Sequence, residues 1–260
     1  MNRFEGKVVI VTGAGSGIGA GTARRFLQEG ASVALNGRRE HKLHETVEGS
    51  DPAKILVHPG DVSDEAYVKR LVEDTVAKFG KLDVLVNNAG MAIFGSFEQT
   101  TTEVWRKTME TDVDSVYFAS REALPHLLKT RGSIINLSSA SGLGGDWGMS
   151  AYNAAKGAVT NFTRALALEY GSRGVRINAV APSFTSTEAT GELEKVEAVI
   201  TAFRDRLPIG RAATPDEIAG VIAFLASDDA IFVNGVILPV DGGLKASNGQ
   251  PNFLSLLGQG

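Results

Sequence analysis

The stretch Val8-Val9-Ile10-Val11-Thr12-Gly13-Ala14-Gly15-Ser16-Gly17-Ile18-Gly19 decides the fold, because an apolar β-branched run leads directly into a glycine-rich turn. Helix-compatible residues continue to position 29, so the pattern predicts a strand, a tight turn and a helix. Glycines there let the backbone approach a pyrophosphate, which the free N–H groups of the helix amino end stabilise. The spacing differs from the common Gly-x-Gly-x-x-Gly, and only its place between strand and helix makes it informative.

The rest of the chain alternates short β-branched runs with longer helix-compatible stretches. Further strands are predicted at 32–35, 55–57, 84–86, 133–137, 175–180 and 236–238. Helices are predicted at 17–29, 64–79, 102–128, 151–170 and 216–226, the last opened by Thr214 and Pro215. Strands separated by helices imply a parallel sheet, and strands apolar at successive positions imply helices on both faces. The predicted class is α/β, a Rossmann-like doubly wound parallel seven-stranded sheet.

Length and composition limit the classes of protein to consider. The chain has 260 residues, 43% of them hydrophobic, which suits one large α/β domain. The net charge is −4 with scattered basic residues, so no nucleic-acid partner is expected. Cysteine is absent, and His41-x-x-His44 has no further ligand at metal spacing. With no signal-peptide core and no apolar run near ~18 residues, we expect a cytoplasmic protein without membrane or metal partners.

Two segments interrupt the alternation of strands and helices. Residues 185–207, rich in Thr and Glu, follow the sixth predicted strand, at the edge where open sheets bind ligands. We interpret them as a substrate lid within a single domain 1–243, with an ordinary surface excursion as the alternative. Residues 244–260 form a C-terminal extension, for which a disordered tail and docking on a neighbouring subunit are both open. Its large apolar side chains are Phe253, Leu254, Leu256 and Leu257.

The end of the second predicted strand indicates which dinucleotide is bound. NAD sites usually carry a carboxylate there, about 20 residues after the glycine-rich turn, to bind the ribose hydroxyls. This chain has Asn36-Gly37-Arg38-Arg39 instead. Two guanidinium groups without an acid favour a 2′-phosphate, which arginine binds bidentately, although solvated surface arginines are the alternative. The expected cofactor is NADP(H), with NAD(H) as the alternative.

A second informative stretch is Ser150-Ala151-Tyr152-Asn153-Ala154-Ala155-Lys156. Its phenol and ammonium are about one helical turn apart, so both side chains leave the same face. An ammonium at about 4 Å stabilises a phenolate by roughly 4 kcal/mol in a partly screened site. Tyrosine so placed can act as an acid or base near neutral pH. A Tyr-x-x-x-Lys pair alone is more often a solvated helix face, so this interpretation depends on further motifs.

Those motifs are present, and from Lys7 to about Gly243 the chain resembles the short-chain dehydrogenase/reductase family. In order they are Thr12–Gly19, Gly60-Asp61-Val62, Asn87-Asn88-Ala89-Gly90, Ser139 thirteen residues before Tyr152, the Tyr152/Lys156 pair, Pro182 with Thr187, and Pro239-Val240-Asp241-Gly242-Gly243. The resemblance implies a compact NAD(P)-dependent alcohol dehydrogenase or carbonyl reductase. It also implies a homo-oligomer, usually a tetramer.

The resemblance implies hydride transfer between the nicotinamide and a carbonyl carbon. Tyr152 would exchange a proton with the substrate oxygen, Ser139 would hydrogen-bond that oxygen, and Lys156 would assist the tyrosine and hold the nicotinamide ribose. The expected cofactor-binding residues are Gly13, Gly15, Ser16, Gly17, Ile18, Gly19, Arg38, Arg39, Asp61, Val62, Asn88, Ala89, Gly90, Tyr152, Lys156, Pro182, Ser183 and Thr187.

Two positions depart from the family pattern. The family usually has an asparagine in the fourth helix, whose main-chain carbonyl holds a water of the proton relay, and Asp112 aligns there. Asp112 is therefore included among the candidate catalytic residues. The family's Pro-Gly after the sixth strand is Pro182-Ser183 here, which would make the backbone facing the nicotinamide less permissive.

Substrate contacts are expected from Phe94, Trp147, Met149 and Phe184, which would form a mainly apolar pocket, although each is equally compatible with core packing. No arginine pair for a dicarboxylate or a phosphate is evident, so the expected substrate is a neutral ketone or secondary alcohol. Asp146 would favour a hydroxylated or amine-bearing substrate, or is a turn residue.

Three other functions share these features. A 3-oxoacyl thioester reductase has the same motifs, and a sugar or polyol dehydrogenase is also open. A non-enzymatic NADP(H)-sensing regulator would use the same fold, but a sensor has no need of the proton donor that Tyr152 would supply.

Overall fold

A computed structural model describes residues 2–258, except for the side chain of Ser255. Within them, seven strands form one sheet in the order β3-β2-β1-β4-β5-β6-β7, and every neighbouring pair is parallel. The strands are β1 (Val8–Val11), β2 (Ser32–Gly37), β3 (Ile55–Pro59), β4 (Val84–Asn87), β5 (Ser133–Leu137), β6 (Arg176–Pro182) and β7 (Ile237–Val240). The predicted doubly wound parallel sheet is thereby confirmed.

Helices connect the strands and cover the sheet. They are α1 (Gly17–Gln28), α2 (Glu40–Thr46), α3 (Glu65–Phe79), α4 (Thr102–Met109), α5 (Ser115–Thr130), α6 (Ser150–Tyr170), α7 (Gly191–Glu194), α8 (Glu197–Arg206), α9 (Pro215–Ala226) and α10 (Phe253–Leu256). The predicted start of α9 is confirmed, because Thr214 and Glu217 form a capping box with Pro215 in the first turn.

Successive residues of β1 belong to two separate hydrophobic cores. Val9 and Val11 pack with Phe26 of α1 and with α9 on one face. Val8 and Ile10 pack on the other face with α3, α5 and α6. Because side chains alternate along a strand, helices must cover both faces, and this explains why β1 has no exposed position.

The strand order reverses beside β1, which pairs with β2 on one side and β4 on the other. The connection that leaves β1 leads to β2, and the connection that leaves β4 leads to β5 on the other side. Because the two leave in opposite directions, a crevice opens between them at the carboxyl edge of the sheet. The glycine-rich turn, the loop after β4 and the loop after β5 all lie at this edge. The fold therefore gathers there the motifs that are far apart in the sequence.

Three segments differ from the sequence prediction. The helix predicted at 102–128 contains a π-helical turn, Glu110–Asp114, between α4 and α5. The lid segment contains α7 and α8, whose polar, Glu-rich composition concealed them. The extension contains the short helix α10, and the side chains of Phe253, Leu254, Leu256 and Leu257 are exposed in the single chain.

Candidate active site

The glycine-rich turn leaves the amino end of α1 open. Ser16 is the N-cap residue, but its side chain makes no capping hydrogen bond. A Cβ on Gly19 would lie 2.2 Å from the carbonyl oxygen of Gly13 and 2.4 Å from Nδ2 of Asn88, so only glycine fits. The backbone N–H groups of this helix end can therefore meet an anion directly.

A hydrogen-bond network joins the turn to the loop after β4. Asn88 donates from Nδ2 to the carbonyl of Thr12 at 2.9 Å and to that of Gly13 at 3.2 Å. The Thr12 hydroxyl accepts from the backbone N–H groups of Asn88 and Ala89 at 3.0 and 3.1 Å. The side chain of Asn88 thus holds the shape of the turn. The contribution of Thr12 was not predicted, although its place before the first glycine was the available signal.

The expected adenosine end lies beside β2 and β3. Asp61 accepts from the backbone and hydroxyl of Ser63 at 2.9 and 2.8 Å, and Val62 is buried. Burial opposes ionisation of Asp61, but the Ser63 hydrogen bonds and the charges of Lys107 and Arg38 outweigh it and lower the pKa of Asp61. Arg38 is exposed at the end of β2.

Lys156 on α6 has a buried ammonium with three neighbours. Its Nζ lies 3.0 Å from Oδ1 of Asp112, donates to the carbonyl of Leu137 at 3.0 Å, and lies 5.5 Å from the centre of the Tyr152 ring. Burial disfavours the ammonium, but attraction to Asp112 and Tyr152 and the hydrogen bond to Asp112 outweigh it and raise the pKa of Lys156. The ammonium therefore remains charged under the half-buried phenol ring.

The π-helical turn positions Asp112. One wider turn interrupts the α4–α5 helix at this residue, as π turns often do at functional sites. The buried carboxylate also accepts from the backbone N–H of Met91 at 3.0 Å. A Cβ on Gly90 would lie 2.6 Å from Oδ1 of Asp112 and 3.1 Å from Nζ of Lys156, so Gly90 leaves room for this ion pair.

Ser139 follows β5 and caps the short 3-10 turn Ala140–Gly142. Its Oγ accepts from the backbone N–H of Ser141 at 3.1 Å and donates to the Ser141 hydroxyl at 3.1 Å. Ser141 in turn donates to Asp146. The backbone bond holds Ser139 in place, while its hydroxyl proton can turn from Ser141 to a substrate oxygen. Ser141 was not identified from the sequence, which marks it only as a polar residue two positions later.

The loop after β4 and the loop before α6 meet at the site. The backbone N–H of Gly95 donates to the carbonyl of Gly148 at 2.9 Å. Phe94 and Trp147, each next to one of these glycines, are 61% and 93% exposed. Met149 is half-buried at the start of α6, where its carbonyl accepts from the Asn153 side chain.

The fourth expected substrate residue, Phe184, follows β6 and directly precedes the lid segment. Its ring is buried and stacks on Phe203 of α8, with ring centres 4.1 Å apart. Phe184 thus braces the lid helix. At the end of β6, the Ser183 hydroxyl donates to the carbonyl of Asp241 at 3.0 Å, which ties β6 to the turn after β7, and Pro182 is buried.

The start of the lid lies against the glycine-rich turn. A Cβ on Gly17 would lie 3.0 Å from Cγ2 of Thr187, so Thr187 lies against Gly17 at the start of α1. Thr187 belongs to the turn Thr187–Thr190, closed by a backbone hydrogen bond of 3.2 Å. Beside it, Glu188 pairs with Arg39, a contact that the sequence analysis did not predict.

These features fit a bound dinucleotide. The uncapped amino end of α1 suits a pyrophosphate, the end of β2 offers two guanidinium groups, and the charged ammonium of Lys156 lies beside the Tyr152 phenol. A parallel doubly wound sheet with this site defines the class of nicotinamide-dependent oxidoreductases.

Comparison with known proteins identifies the family. A family model described as Enoyl-(Acyl carrier protein) reductase matches residues 13–245. Meso-2,3-butanediol dehydrogenase of Serratia marcescens is 47% identical over 97% of this chain and 100% of its own length. The NADP-dependent (R)-specific alcohol dehydrogenase of Lentilactobacillus kefiri is 39% identical, over 94% and 99%. The 3-oxoacyl-acyl-carrier-protein reductase of Thermotoga maritima is also 39% identical, over 93% and 99%.

The chain therefore belongs to the short-chain dehydrogenase/reductase family. This confirms the resemblance seen in the motifs and the prediction of a ketone/alcohol oxidoreductase. Within residues 2–258, no helix combines the length and apolar character needed to span a bilayer.

Proposed function

We propose that this enzyme is an NADP(H)-preferring carbonyl reductase and alcohol dehydrogenase acting on neutral ketones and secondary alcohols. When bound, the cofactor supplies or accepts the hydride. Ser139, Tyr152, Lys156 and Asp112 are the residues to which we assign the chemistry at the substrate oxygen. The buried ammonium under the Tyr152 ring is the observation that carries the proposal.

Each of these residues has a distinct role in the proposal. Tyr152 donates its phenolic proton to the substrate oxygen during reduction and accepts it during oxidation. Ser139 donates a hydrogen bond to the same oxygen as negative charge develops. Lys156 stabilises the phenolate, and Asp112 holds Lys156 charged and in place.

The preference for NADP(H) rests on the end of β2. The residues Asn36-Gly37-Arg38-Arg39 include no acid that would bind the ribose hydroxyls, and Arg38 and Arg39 can bind a 2′-phosphate. The relative from Lentilactobacillus kefiri is NADP-dependent by name, which supports the assignment. We assign the other expected contacts with the cofactor to the glycine-rich turn, Asp61-Val62, Asn88–Gly90, and Pro182, Ser183 and Thr187.

We further propose that the substrate is small and neutral. We assign the apolar contacts with the substrate to Phe94, Trp147 and Met149, and the loops that carry Phe94 and Trp147 are joined by the Gly95–Gly148 hydrogen bond. The Ser141 hydroxyl links Ser139 to Asp146, because it accepts from Ser139 and donates to the Asp146 carboxylate. Asp146 therefore favours a substrate with a second polar group. The name of the Serratia relative, a dehydrogenase of a vicinal diol, agrees with this substrate class.

The proposal is tested with purified protein and a panel of carbonyl compounds. The panel contains simple methyl ketones, vicinal hydroxyketones, aldoses and an acetoacetyl thioester, each with NADPH and with NADH. Absorbance of the reduced nicotinamide reports turnover. We expect the small ketones with NADPH to give the highest kcat/KM. Far faster turnover with NADH would overturn the assignment of Arg38 and Arg39.

A 3-oxoacyl thioester reductase is the second candidate. The relative from Thermotoga maritima carries that activity in its name. In addition, Lys245 reaches the loop before α6: a Cβ on Gly144 would lie 2.4 Å from its Nζ. An ammonium there suits the acidic surface of an acyl carrier. Preference for the acetoacetyl thioester in the same panel would favour this candidate.

We propose that residues 1–243 form the dehydrogenase domain, with 185–207 as its lid and 244–260 as an extension, and that the enzyme is a homotetramer. Large apolar side chains remain exposed on a single chain, including Leu168, Ile231 and Phe232. Burial of such surface favours association. Light scattering on the eluting protein measures the mass, and a monomer would contradict the tetramer.

A further inference from the structure

The side chain of Arg39 is engaged by an acidic residue of the lid segment. Its Nη1 and Nη2 donate to Oε1 and Oε2 of Glu188, each at 2.7 Å, across 149 residues of sequence. This is the two-pronged geometry in which arginine binds a carboxylate or a phosphate. The pair is about half exposed, and each partner shifts the other: hydrogen bonding raises the pKa of Arg39 and lowers that of Glu188.

Glu188 is held in a defined position by its turn. The Thr190 hydroxyl donates to the carbonyl of Thr185 at 2.7 Å and accepts from the backbone N–H of Thr187 at 2.9 Å. Thr187 also lies against Gly17 at the amino end of α1. The carboxylate therefore approaches Arg39 from a turn that also lies against Gly17 of the glycine-rich turn.

The two arginines at the end of β2 differ in this respect. Within residues 2–258, Arg38 forms no ion pair, while Arg39 is paired with Glu188. A 2′-phosphate that approaches Arg39 meets a guanidinium group whose two Nη atoms already donate to the Glu188 carboxylate. The adenosine ribose of NAD(H) carries two hydroxyls and no 2′-phosphate, so it does not compete with the Glu188 carboxylate for Arg39.

We propose that Glu188 is a cofactor-specificity residue, whose carboxylate occupies the fork of Arg39 in the free enzyme and is displaced by the 2′-phosphate of NADP(H). This inference rests on the proposed preference for NADP(H). Binding of NADP(H) then separates the lid turn Thr187–Thr190 from β2, whereas binding of NAD(H) leaves the Arg39–Glu188 pair closed. Glu188 thus lowers the ratio of the affinity for NADP(H) to the affinity for NAD(H).

Calorimetric titration of the full chain with 2′,5′-ADP and with 5′-AMP tests this, because the two probes differ only in the 2′-phosphate. The variants are Glu188→Gln, Arg39→Gln and their combination. Glu192→Gln is the matched control, since Glu192 is an exposed lid carboxylate paired with Lys195 rather than with β2. We expect Glu188→Gln to tighten 2′,5′-ADP by about three- to fivefold, the range of an exposed ion pair, and to leave 5′-AMP unchanged.

In the Arg39→Gln background, Glu188→Gln should have no effect on 2′,5′-ADP. An unchanged or weaker affinity of Glu188→Gln for 2′,5′-ADP would overturn the inference, as would an equal gain in Glu192→Gln. These results leave the proposed cofactor preference intact if the wild type still favours 2′,5′-ADP. Equal affinity of the wild type and Arg39→Gln for both probes would instead overturn the preference and, with it, the role of Glu188.

Discussion

The carboxylate of Asp112 and the ammonium of Lys156 form a buried ion pair, with 3.0 Å between Oδ1 and Nζ. The lysine beside Tyr152 thus has a charged partner, where the resemblance to the family leads us to expect a neutral asparagine. Desolvation of both ions is costly, and removing one partner of such a pair leaves the other uncompensated. Asp112 is thus positioned to control the charge of Lys156.

Replacement of Asp112 by asparagine tests this control. Without the carboxylate, burial dominates and the pKa of Lys156 falls, because a neutral amide attracts the ammonium less. We expect the alkaline limb of the kcat/KM profile of Asp112→Asn to move down by about one pH unit. Glu110→Gln is the control, because Glu110 is a half-exposed carboxylate in the same π turn. Superimposable profiles of Asp112→Asn and wild type would contradict the role of Asp112.

The same pair contributes to stability in a defined pH range. Because the pKa of Lys156 is raised in the folded state, its contribution is complete below the unfolded value of about 10.4 and is lost as the pH rises through the folded value. Urea unfolding at pH 7 should show that Asp112→Asn costs up to about 3–5 kcal/mol. The cost should shrink at a pH above about 10.4.

Tyr152→Phe removes the phenolic hydroxyl, the proposed acid/base, and keeps the ring. We expect kcat to fall by about 10²–10⁴-fold, while the melting temperature stays close to that of the wild type and the Kd for NADPH changes far less than kcat. Tyr170→Phe, at the other end of α6, is the control and should keep full activity. Steady-state kinetics and fluorescence titration with NADPH measure both effects. Full activity of Tyr152→Phe in a functional assay would favour the sensor interpretation.

Tyr67 on α3 connects β2 and β3 through its hydroxyl. The hydroxyl accepts from Nδ2 of Asn36 at 2.8 Å and donates to the carbonyl of His58 at 2.7 Å. Tyr67→Phe leaves these buried groups less satisfied and should lower the free energy of unfolding by about 1–2 kcal/mol at pH 7. Urea unfolding measures it, with the exposed Tyr117→Phe as control. A Tyr67→Phe variant as stable as the wild type would contradict this account.

Tyr67 also predicts how stability changes in alkali. Burial raises the pKa of Tyr67 to about 12, against about 10 in an unfolded chain. Between these values the unfolded chain has lost the proton and the folded chain keeps it, so stability falls as the pH rises from about 10 to about 12. Tyr67→Phe should lack this part of the loss. Equal alkaline slopes in both proteins would show that Tyr67 does not titrate this way.

Gly19→Ala tests the crowding at the glycine-rich turn. The new methyl group would overlap the carbonyl of Gly13 and the amide of Asn88, and we expect it to destabilise the fold by about 1–3 kcal/mol and to abolish NADPH binding. Gly220→Ala on α9 is the control, because its methyl group would meet only the flexible end of Arg25 at 3.6 Å. That change should stabilise the protein by about 0.5–1 kcal/mol. NADPH binding by Gly19→Ala at wild-type strength would contradict the geometry of the turn.

Local patterns were sufficient for most of the fold. The run Val8–Val11 forms a strand, and the glycines after it form a turn. Both follow from residues adjacent in the sequence, because β-branched side chains favour strands and glycine permits tight bends. The capping residues before α9 act over one turn, so they too were readable. The π turn at Glu110–Asp114 was not, because its sequence suits an ordinary helix and the wider turn accompanies the packing of Asp112 against Lys156.

The sequence by itself determined the class of the sheet, the order of the motifs along the chain, and the family, because all of these depend on periodicity and short spacings. Only the tertiary structure decided that Asp112 pairs with Lys156, that Glu188 pairs with Arg39, and that Phe184 lies beneath Phe203. The first two pairs join residues from different connections of the sheet, and the third joins two parts of the long connection between β6 and β7. Their distance is set by how whole helices pack, and no local pattern encodes it.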